Sequence, residues 1–144
     1  MSLSKTDTTV GVIGLGVVGD AVRQYFQDLG NPVRTFDPPK RLGSPSEINE
    51  AELIFICVPT PYQPFTGFDD SALEEAVSLL EGSKVIVIKS TVLPGTTEAY
   101  QFRYSQHCFL SIPEFLRQAS ARDDFLRPDR QIIGYLHECR RINE

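Results

Sequence analysis

A glycine-rich turn between an apolar run and an amphipathic segment constrains the fold of this chain more than any other feature. Gly14, Gly16 and Gly19 directly follow the apolar residues 10–13. Residues 17–29 then carry apolar side chains at helical spacing. A strand, a tight turn and a helix in this order are typical of a βαβ unit whose turn approaches a phosphate group. The helix N-terminus would offer free N–H groups and a partial positive charge to that phosphate.

The rest of the chain continues the alternation of strands and helices. Short apolar runs rich in Val and Ile suit strands that are buried on both faces of a parallel sheet. Strands are predicted at residues 10–13, 33–36, 53–58, 85–88, 108–110 and 131–133. Helices are predicted at residues 17–29, 71–80, 95–103 and 114–121, and loops at 36–46 and 59–70. The pattern predicts an α/β fold: a Rossmann-like doubly wound parallel sheet in three layers.

Length and charge narrow the class of protein. The chain has 144 residues, enough for one domain with its own core. Residues 1–8 are polar and predict a disordered or tag-like lead-in, which leaves 9–144 as a single dinucleotide-binding domain. A net charge of −5 argues against a nucleic-acid binder, which needs a basic face. It still allows an anionic ligand, because a helix N-terminus binds phosphate without Lys or Arg.

Apolar runs and cysteines bear on location. No run approaches the length of a membrane span, and the N-terminus lacks the apolar core of a signal peptide. Cys57, Cys108 and Cys139 are odd in number and widely spaced, which excludes a zinc ribbon and predicts no metal site. The same spacing fits a reducing compartment, so we expect a cytoplasmic protein. Cys57 lies in an apolar run and is expected to be an inert core residue.

An acidic residue at the end of the second predicted strand favours NAD. Asp37 follows Gly14 by 23 positions, where a carboxylate can accept hydrogen bonds from the adenosine ribose and repel a 2′-phosphate. Lys40 and Arg41 weaken this preference, since basic residues there can hold a 2′-phosphate. Two alternatives stay open: the turn binds another ligand or none, and Asp37 only caps its loop. The predicted phosphate-binding residues are Gly14, Leu15, Gly16, Val17, Val18 and Gly19.

Polar residues also follow two later strands. Val58, Pro59 and Thr60 end the third predicted strand, and Ser90 and Thr91 follow the fourth. Ligands of open parallel sheets bind outside the carboxyl ends of the strands, so these residues are predicted to contact the cofactor. The alternative is that the three hydroxyls only cap turns.

Several segments resemble the UDP-glucose/GDP-mannose dehydrogenase family in family order over almost the whole chain. They are FICVPTP at 55–61, IKSTVLPGTT at 88–97, PEFLR at 113–117, DFLRPDR at 124–130 and IIG at 132–134. The resemblance implies NAD as cofactor and places Glu114 near the nicotinamide and the sugar. There its carboxylate would handle protons or position a water. The Thr60 hydroxyl, at the end of its strand, is expected to contact the cofactor or a water near the reacting carbon.

The chain also departs from the family pattern. The resemblance places the family's catalytic cysteine, and the Lys and Asn that grip its substrate, beyond residue 144. Ile112 stands where the family usually has Asn, and Gln118 where it usually has Glu. The chain is short between Asp37 and Leu53, so we expect a helix after the second strand to be missing and the sheet to have one strand fewer on that side. The adenine pocket would then be more open and the cofactor affinity lower.

Three functions remain open at this stage. The first is the NAD-binding domain of a UDP-glucose 6-dehydrogenase-like oxidoreductase, incomplete for catalysis alone and acting on a nucleotide sugar with a separate substrate domain. The second is a stand-alone, non-catalytic dinucleotide-binding module that is partner-dependent or regulatory. The third is a compact dehydrogenase that uses Glu114 or Lys89 for proton transfer. Exposed apolar surface would also allow a homodimer. A structural salt-bridge set is expected among Arg117, Arg127, Asp129 and Arg130.

Overall fold

The computed structural model describes residues 7–128, 130–136 and 139, so most of the predicted lead-in and Asp129 lie outside the described residues. The strands are β1 (Val10–Ile13), β2 (Val33–Phe36), β3 (Leu53–Ile56), β4 (Tyr62–Gln63), β5 (Gly67–Phe68), β6 (Val85–Ile88), β7 (Cys108–Ser111) and β8 (Gly134–Tyr135). The helices are α1 (Val17–Asp28), α2 (Pro45–Ile48), α3 (Ser71–Ser78), α4 (Thr96–Arg103) and α5 (Ala121–Leu126).

The main sheet has the order β2-β1-β3-β6-β7-β8. Its first five strands are parallel and β8 is antiparallel to β7. The chain winds outward in one direction from β1 to β2 and in the other from β3 through β6 to β7. The predicted Rossmann-like doubly wound fold is therefore confirmed, with an antiparallel edge strand that the sequence did not predict. The predicted loss of a strand on that side is found, since β2 is the edge strand of the described sheet. The predicted absence of a helix was wrong, because the four-residue α2 leads from β2 to β3.

Both faces of the sheet are covered, which gives the predicted three layers. On one face Ile54, Ile56 and Ile86 pack with residues of α2, α3 and α4 such as Ile48 and Leu73. On the other face Val12, Phe55 and Val87 pack with Val22 of α1, and Phe125 of α5 joins them. Strands buried on both faces explain why their sequences are continuously apolar.

The prediction of a helix at residues 114–121 was wrong. The chain leaves β7 as an extended loop, and helical structure begins with a 3₁₀ turn at Gln118–Ser120 that leads into α5. Side-chain acceptors bind three amides of this loop. Glu114 accepts from the amides of Phe115 and Leu116, and Asp124 accepts from that of Arg117. These bonds satisfy the amides in a non-helical conformation, and the α-helix begins only at Ala121.

Other boundaries also differ from the predictions. The third strand ends at Ile56, because residues 57 and 58 already turn into the loop. The last strand is β8 rather than residues 131–133, where Ile132 and Ile133 are half exposed and do not join the core. The loop predicted at 59–70 contains the hairpin of β4 and β5. The loop predicted at 36–46 contains a 3₁₀ turn at Pro38–Lys40 and the start of α2.

Cys108 and Cys139 form a disulfide, which the wide spacing of the cysteines did not indicate. It links β7 to the chain that follows β8. Within the described residues no helix is long and apolar enough to cross a membrane, and α1, the longest, has 12 residues.

Candidate dinucleotide-binding site

The carboxyl ends of the five parallel strands meet at one edge of the sheet, and the predicted site residues follow them. Parallel α/β sheets form a ligand crevice at this edge, where the order of the strands reverses. The glycine turn follows β1, Asp37 follows β2, residues 58–60 follow β3, residues 89–91 follow β6 and Glu114 lies just beyond β7. The fold therefore brings all the predicted site residues to the same edge.

The three glycines of the turn meet three different environments. Gly14 has φ +85°, and a Cβ there would lie 2.7 Å from the carbonyl oxygen of Cys57. A Cβ at Gly19 would lie 1.8 Å from the carbonyl oxygen of Gly14, so α1 packs on the turn too closely for a side chain. A Cβ at Gly16 would meet no atom within 4 Å. The turn therefore leaves open space at Gly16, where the ligand is expected to approach the protein backbone.

This open position fits a pyrophosphate. Gly16 is the N-cap residue of α1 and has no side chain to occupy the first-turn amides. Those amides and the helix dipole favour an anion beside them. Leu15 is buried, Val17 is 43% exposed and Val18 is half-buried. The phosphates of NAD would accordingly be held by backbone N–H groups rather than by cationic side chains.

Asp37 is fastened to the phosphate-binding turn. Its Oδ2 accepts a hydrogen bond of 2.7 Å from the amide of Leu15, and its Oδ1 accepts one of 3.2 Å from the amide of Lys40. Lys40 Nζ in turn donates to the carbonyl oxygen of Leu15. Asp37 therefore caps its loop, as one interpretation held, and also braces the turn. Its contact with a ribose remains a prediction, and its carboxylate keeps lone pairs for it.

An open cavity of 650 Å³ lies between the turn and β2. Gly16, Thr35, Lys40 and Leu42 are among its lining residues. Because β2 is the edge strand, no further strand closes this side within the described residues. The cavity is the expected place for the adenosine, and the lower affinity expected from its openness remains a prediction.

The hydroxyl groups after β3 and β6 tie two loops together. Thr60 Oγ1 donates to the carbonyl oxygen of Thr91 at 2.5 Å, and Ser90 Oγ donates to that of Val58 at 2.7 Å. Neither bond caps a local turn in the way that the alternative interpretation held, because each joins the loop after β3 to the loop after β6. Thr91 and Pro59 are exposed at the crevice, so contact of this loop pair with the cofactor remains a prediction.

A buried ion pair lies where β6 and β7 end. Lys89 Nζ is 2.8 Å from Glu114 Oε2, and the side chains are 5% and 17% exposed. Glu114 Oε1 accepts hydrogen bonds of 2.8 and 3.0 Å from the amides of Phe115 and Leu116. Sequence reasoning named both residues for proton transfer but did not pair them. The sequence did hold one indication of the pair: Lys89 follows an apolar strand, and a lysine that is buried there needs a partner of opposite charge.

Cys57 lies beside this ion pair. Burial raises the pKa of its thiol to about 12; the Lys89 cation lowers it and the Glu114 carboxylate raises it by smaller amounts. The thiol is therefore protonated at neutral pH and a poor nucleophile, in agreement with the predicted inert core residue.

A cleft of 680 Å³ extends from the ion pair between α1 and α5. Phe125 of α5 lies over this cleft. The centroid of its ring is 5.5 Å from Lys89 Nζ and 5.3 Å from the ring centroid of Tyr25. Arg117 holds Asp124 by a 2.7 Å ion pair and hydrogen bonds, which keep the pKa of Asp124 well below its usual range.

The predicted salt-bridge set is therefore found only in part. Arg117 pairs with Asp124, Asp129 lies outside the described residues, and the exposed Arg127 and Arg130 line the cleft. Ile112, where the family usually has Asn, is buried against the core. Gln118 lies in the 3₁₀ turn before α5. Among the described residues, no group of three or more His, Cys, Asp or Glu side chains is placed to hold a metal ion.

The fold and the crevice define the class: a dinucleotide-binding domain of the Rossmann type. Residues 41–142 match the UDP-glucose/GDP-mannose dehydrogenase family, NAD binding domain. This match covers more than half of the chain, so the chain belongs to that family and NAD is the cofactor of the domain. The glycine turn lies before the matched residues and supports the same assignment independently.

Relatives of known name agree with this family. The chain is 36% identical over 104 residues to a putative UDP-glucose 6-dehydrogenase of Bacillus subtilis, which spans 65% of this chain and 24% of the relative. It is 39% identical over 97 residues to a UDP-glucose 6-dehydrogenase of Rickettsia conorii, with 62% and 22% covered. The chain thus spans about a quarter of the length of these relatives.

Solved structures show the same architecture. A UDP-glucose dehydrogenase from the hyperthermophilic archaeon Pyrobaculum islandicum superposes with a TM-score of 0.79 at 28% identity, covering 94% of this chain and 42% of that chain. A GDP-mannose dehydrogenase from Pseudomonas aeruginosa, at 21% identity and a TM-score of 0.74, shares the fold over 88% of this chain.

Proposed function

We propose that this chain is the NAD-binding part of a nucleotide-sugar 6-dehydrogenase, which oxidises the CH–OH group of a sugar such as that of UDP-glucose. One observation carries the proposal. The phosphate-binding turn lies on one side of the point where the strand order reverses, and the Lys89–Glu114 pair lies on the other. A dinucleotide that crosses this point places its two ends at chemically different groups.

Each part of the crevice has a role in this proposal. The amides that open α1 bind the pyrophosphate, and Asp37 binds the adenosine ribose. Thr60 and Thr91, joined by a hydrogen bond, border the path toward the nicotinamide. Bound NAD supplies a hydride acceptor. Glu114 accepts the proton of the sugar hydroxyl or positions the water that accepts it.

The described residues provide no thiol for a second oxidation through a thioester. The high pKa of Cys57 keeps its thiol protonated, and Cys108 is bonded to Cys139. A nucleophile from another segment or chain is required for that step. We therefore propose that the nucleotide sugar is held together with a separate substrate domain. The same observation favours the second candidate, a dinucleotide-binding module without turnover.

An NADH assay with a complementing domain separates these candidates. The chain is mixed with NAD and UDP-glucose, alone and with the part of the Bacillus subtilis relative that lies outside the matched region. NAD binding is measured in parallel by calorimetry. Binding by the chain alone and NADH formation in the complemented mixture support the proposal. Binding without NADH in either mixture favours the module, and absence of NAD binding overturns both.

Two finer expectations accompany the proposal. A homodimer remains a prediction, to be checked by sedimentation with and without NAD. A cytoplasmic location also remains a prediction, and the Cys108–Cys139 disulfide weighs against it because disulfides persist mainly in oxidising compartments.

A further inference from the structure

We propose that Lys89 is a positioning residue that fixes the Glu114 carboxylate at the place where Glu114 lines the cleft between α1 and α5. The inference rests on the proposed function, in which Glu114 lies near the nicotinamide end of NAD. Lys89 does not itself handle the transferred proton in this arrangement. Its role is to fix the position of the carboxylate that does.

The backbone of Lys89 is fixed by the sheet. It directly follows β6, and its amide donates a 2.9 Å hydrogen bond to the carbonyl oxygen of Ile56 at the end of β3. The side chain is 5% exposed and runs between the strand ends and α5. Its ammonium group lies 2.8 Å from Glu114 Oε2 and 5.5 Å from the centre of the Phe125 ring. The cation therefore has little freedom to leave the carboxylate.

The carboxylate of Glu114 depends on this cation. Two backbone amides fix Oε1, but Oε2 is buried and accepts no hydrogen bond of good geometry from the described residues. The ion pair with Lys89 is the compensation that Oε2 has in the described structure. A buried carboxylate without such compensation takes up a proton instead of staying charged. Removal of the Lys89 charge should therefore change both the protonation of Glu114 and the direction of Oε2.

Other charged groups near the pair do not replace Lys89. Cys57, on the loop after β3, is protonated near neutral pH and carries no charge. Arg117 and Asp124 form an ion pair with each other. The remaining charged residues of the cleft are exposed and make none of the ion pairs found here; they are Arg127 and Arg130.

A purely structural ion pair is the competing explanation, and two substitutions separate it from the proposal. Lys89→Met removes the charge and keeps most of the apolar stem, whereas Lys89→Arg keeps the charge. A structural role predicts a loss of stability and a changed titration of Glu114 in Lys89→Met, with no change in how the site distinguishes NAD from NADH. A positioning role predicts in addition that the preference between NAD and NADH changes in Lys89→Met, with Lys89→Arg close to the wild type.

The first measurement is carbon-13 NMR of the glutamate carboxyl groups, with the Glu114 signal assigned by its loss in Glu114→Gln. We expect this signal to move more as the pH falls from 8 to 6 in Lys89→Met than in the wild type or in Lys89→Arg. An unmoved signal in Lys89→Met overturns the inference. Should Lys89→Met not fold, the nitrogen-15 signal of the Lys89 ammonium in the wild type must shift in Glu114→Gln; an unshifted signal overturns it equally.

The second measurement connects the pair to the cofactor. Oxidised nicotinamide carries a positive charge and the reduced ring does not, so an unpaired Glu114 carboxylate should favour NAD over NADH. In Lys89→Met the preference for NAD should rise severalfold between pH 6 and 8, and in Lys89→Arg it should stay flat. A flat ratio in Lys89→Met, with a shifted carboxyl signal, overturns the positioning role. If the wild type binds no NAD, the proposed function fails, while the NMR result still reports on the pair.

Discussion

The carboxylate of Asp37 accepts a 2.7 Å hydrogen bond from the backbone amide of Leu15, which joins the end of β2 to the phosphate-binding turn. Asp37 is 6% exposed, and its second oxygen accepts the amide of Lys40. One residue thus shapes the turn that faces the pyrophosphate and lies where the adenosine ribose is expected. These two roles predict different effects on NAD and NADP.

Asp37→Ala should weaken NAD binding by roughly tenfold to a hundredfold, as expected for hydrogen bonds to a charged group. NADP binding should weaken less, because the lost carboxylate would otherwise repel the 2′-phosphate. Calorimetric titration with both cofactors measures the two effects. Asp28→Ala is the control, since Asp28 pairs with Arg122 on the surface. If NAD and NADP lose the same affinity, Asp37 stabilises the turn but does not bind the ribose.

Gly16→Ala should lose NAD binding, whereas Gly19→Ala should lose stability. A methyl group at Gly16 meets no protein atom within 4 Å, so the variant should unfold near the wild-type temperature while NAD binding falls. At Gly19 the methyl group would lie 1.8 Å from the Gly14 carbonyl oxygen, and we expect a loss of about 1–3 kcal/mol or more in the free energy of unfolding. Thermal unfolding and NAD titration are run on both variants. Normal NAD binding by Gly16→Ala would place the pyrophosphate elsewhere.

Acid should destabilise the fold through His107. This residue is 3% exposed, and its Nδ1 accepts a hydrogen bond from the amide of Lys84. Burial lowers the pKa of His107 below 6.5, with Lys84 as a smaller cause in the same direction, and a hydrogen bond with the Leu80 backbone opposes them. The unfolded chain then binds more protons than the folded chain as the pH falls below about 6.5, so stability is lost there.

The test compares unfolding free energies at pH 7.5 and pH 5.5. His107→Asn keeps an acceptor near the Lys84 amide and should remove much of the pH dependence. His137→Gln is the matched control, because it removes the other histidine and should leave the dependence of His107 intact. If His107→Asn keeps the full wild-type slope between these pH values, another group is responsible.

The sequence predicts the buried parallel strands and the first helix of this fold well. Buried parallel strands are continuously apolar, so β1, β2 and β6 coincide with their predicted ranges. The start and helical period of α1 are equally visible, because its glycine turn and apolar stripe are local features. The order of the sheet follows from the alternation of strands and helices together with the right-handed crossover rule.

The remaining features depend on contacts between distant residues. The two residues of β8 are a strand only because they pair with β7, which no local period reveals. The segment after Glu114 is not helical although its composition suits a helix, and the Glu114 side chain binds the next two amides there. In the candidate site, the glycine turn and Asp37 follow a local spacing. The ion pair of Lys89 with Glu114 joins two strand ends and becomes visible only in the fold.

The Cys108–Cys139 disulfide should make stability depend on reductant. The cysteines are 31 positions apart, and closing a loop of this length stabilises the folded state by about 3–4 kcal/mol in the chain-entropy model. A reductant should therefore lower the unfolding temperature of the wild type and of Cys57→Ala, and leave Cys139→Ala unchanged. Thiol titration of the unfolded, unreduced protein should detect Cys57 alone among the three cysteines. Detection of all three thiols in protein purified without reductant, after exposure to air, would contradict the pairing.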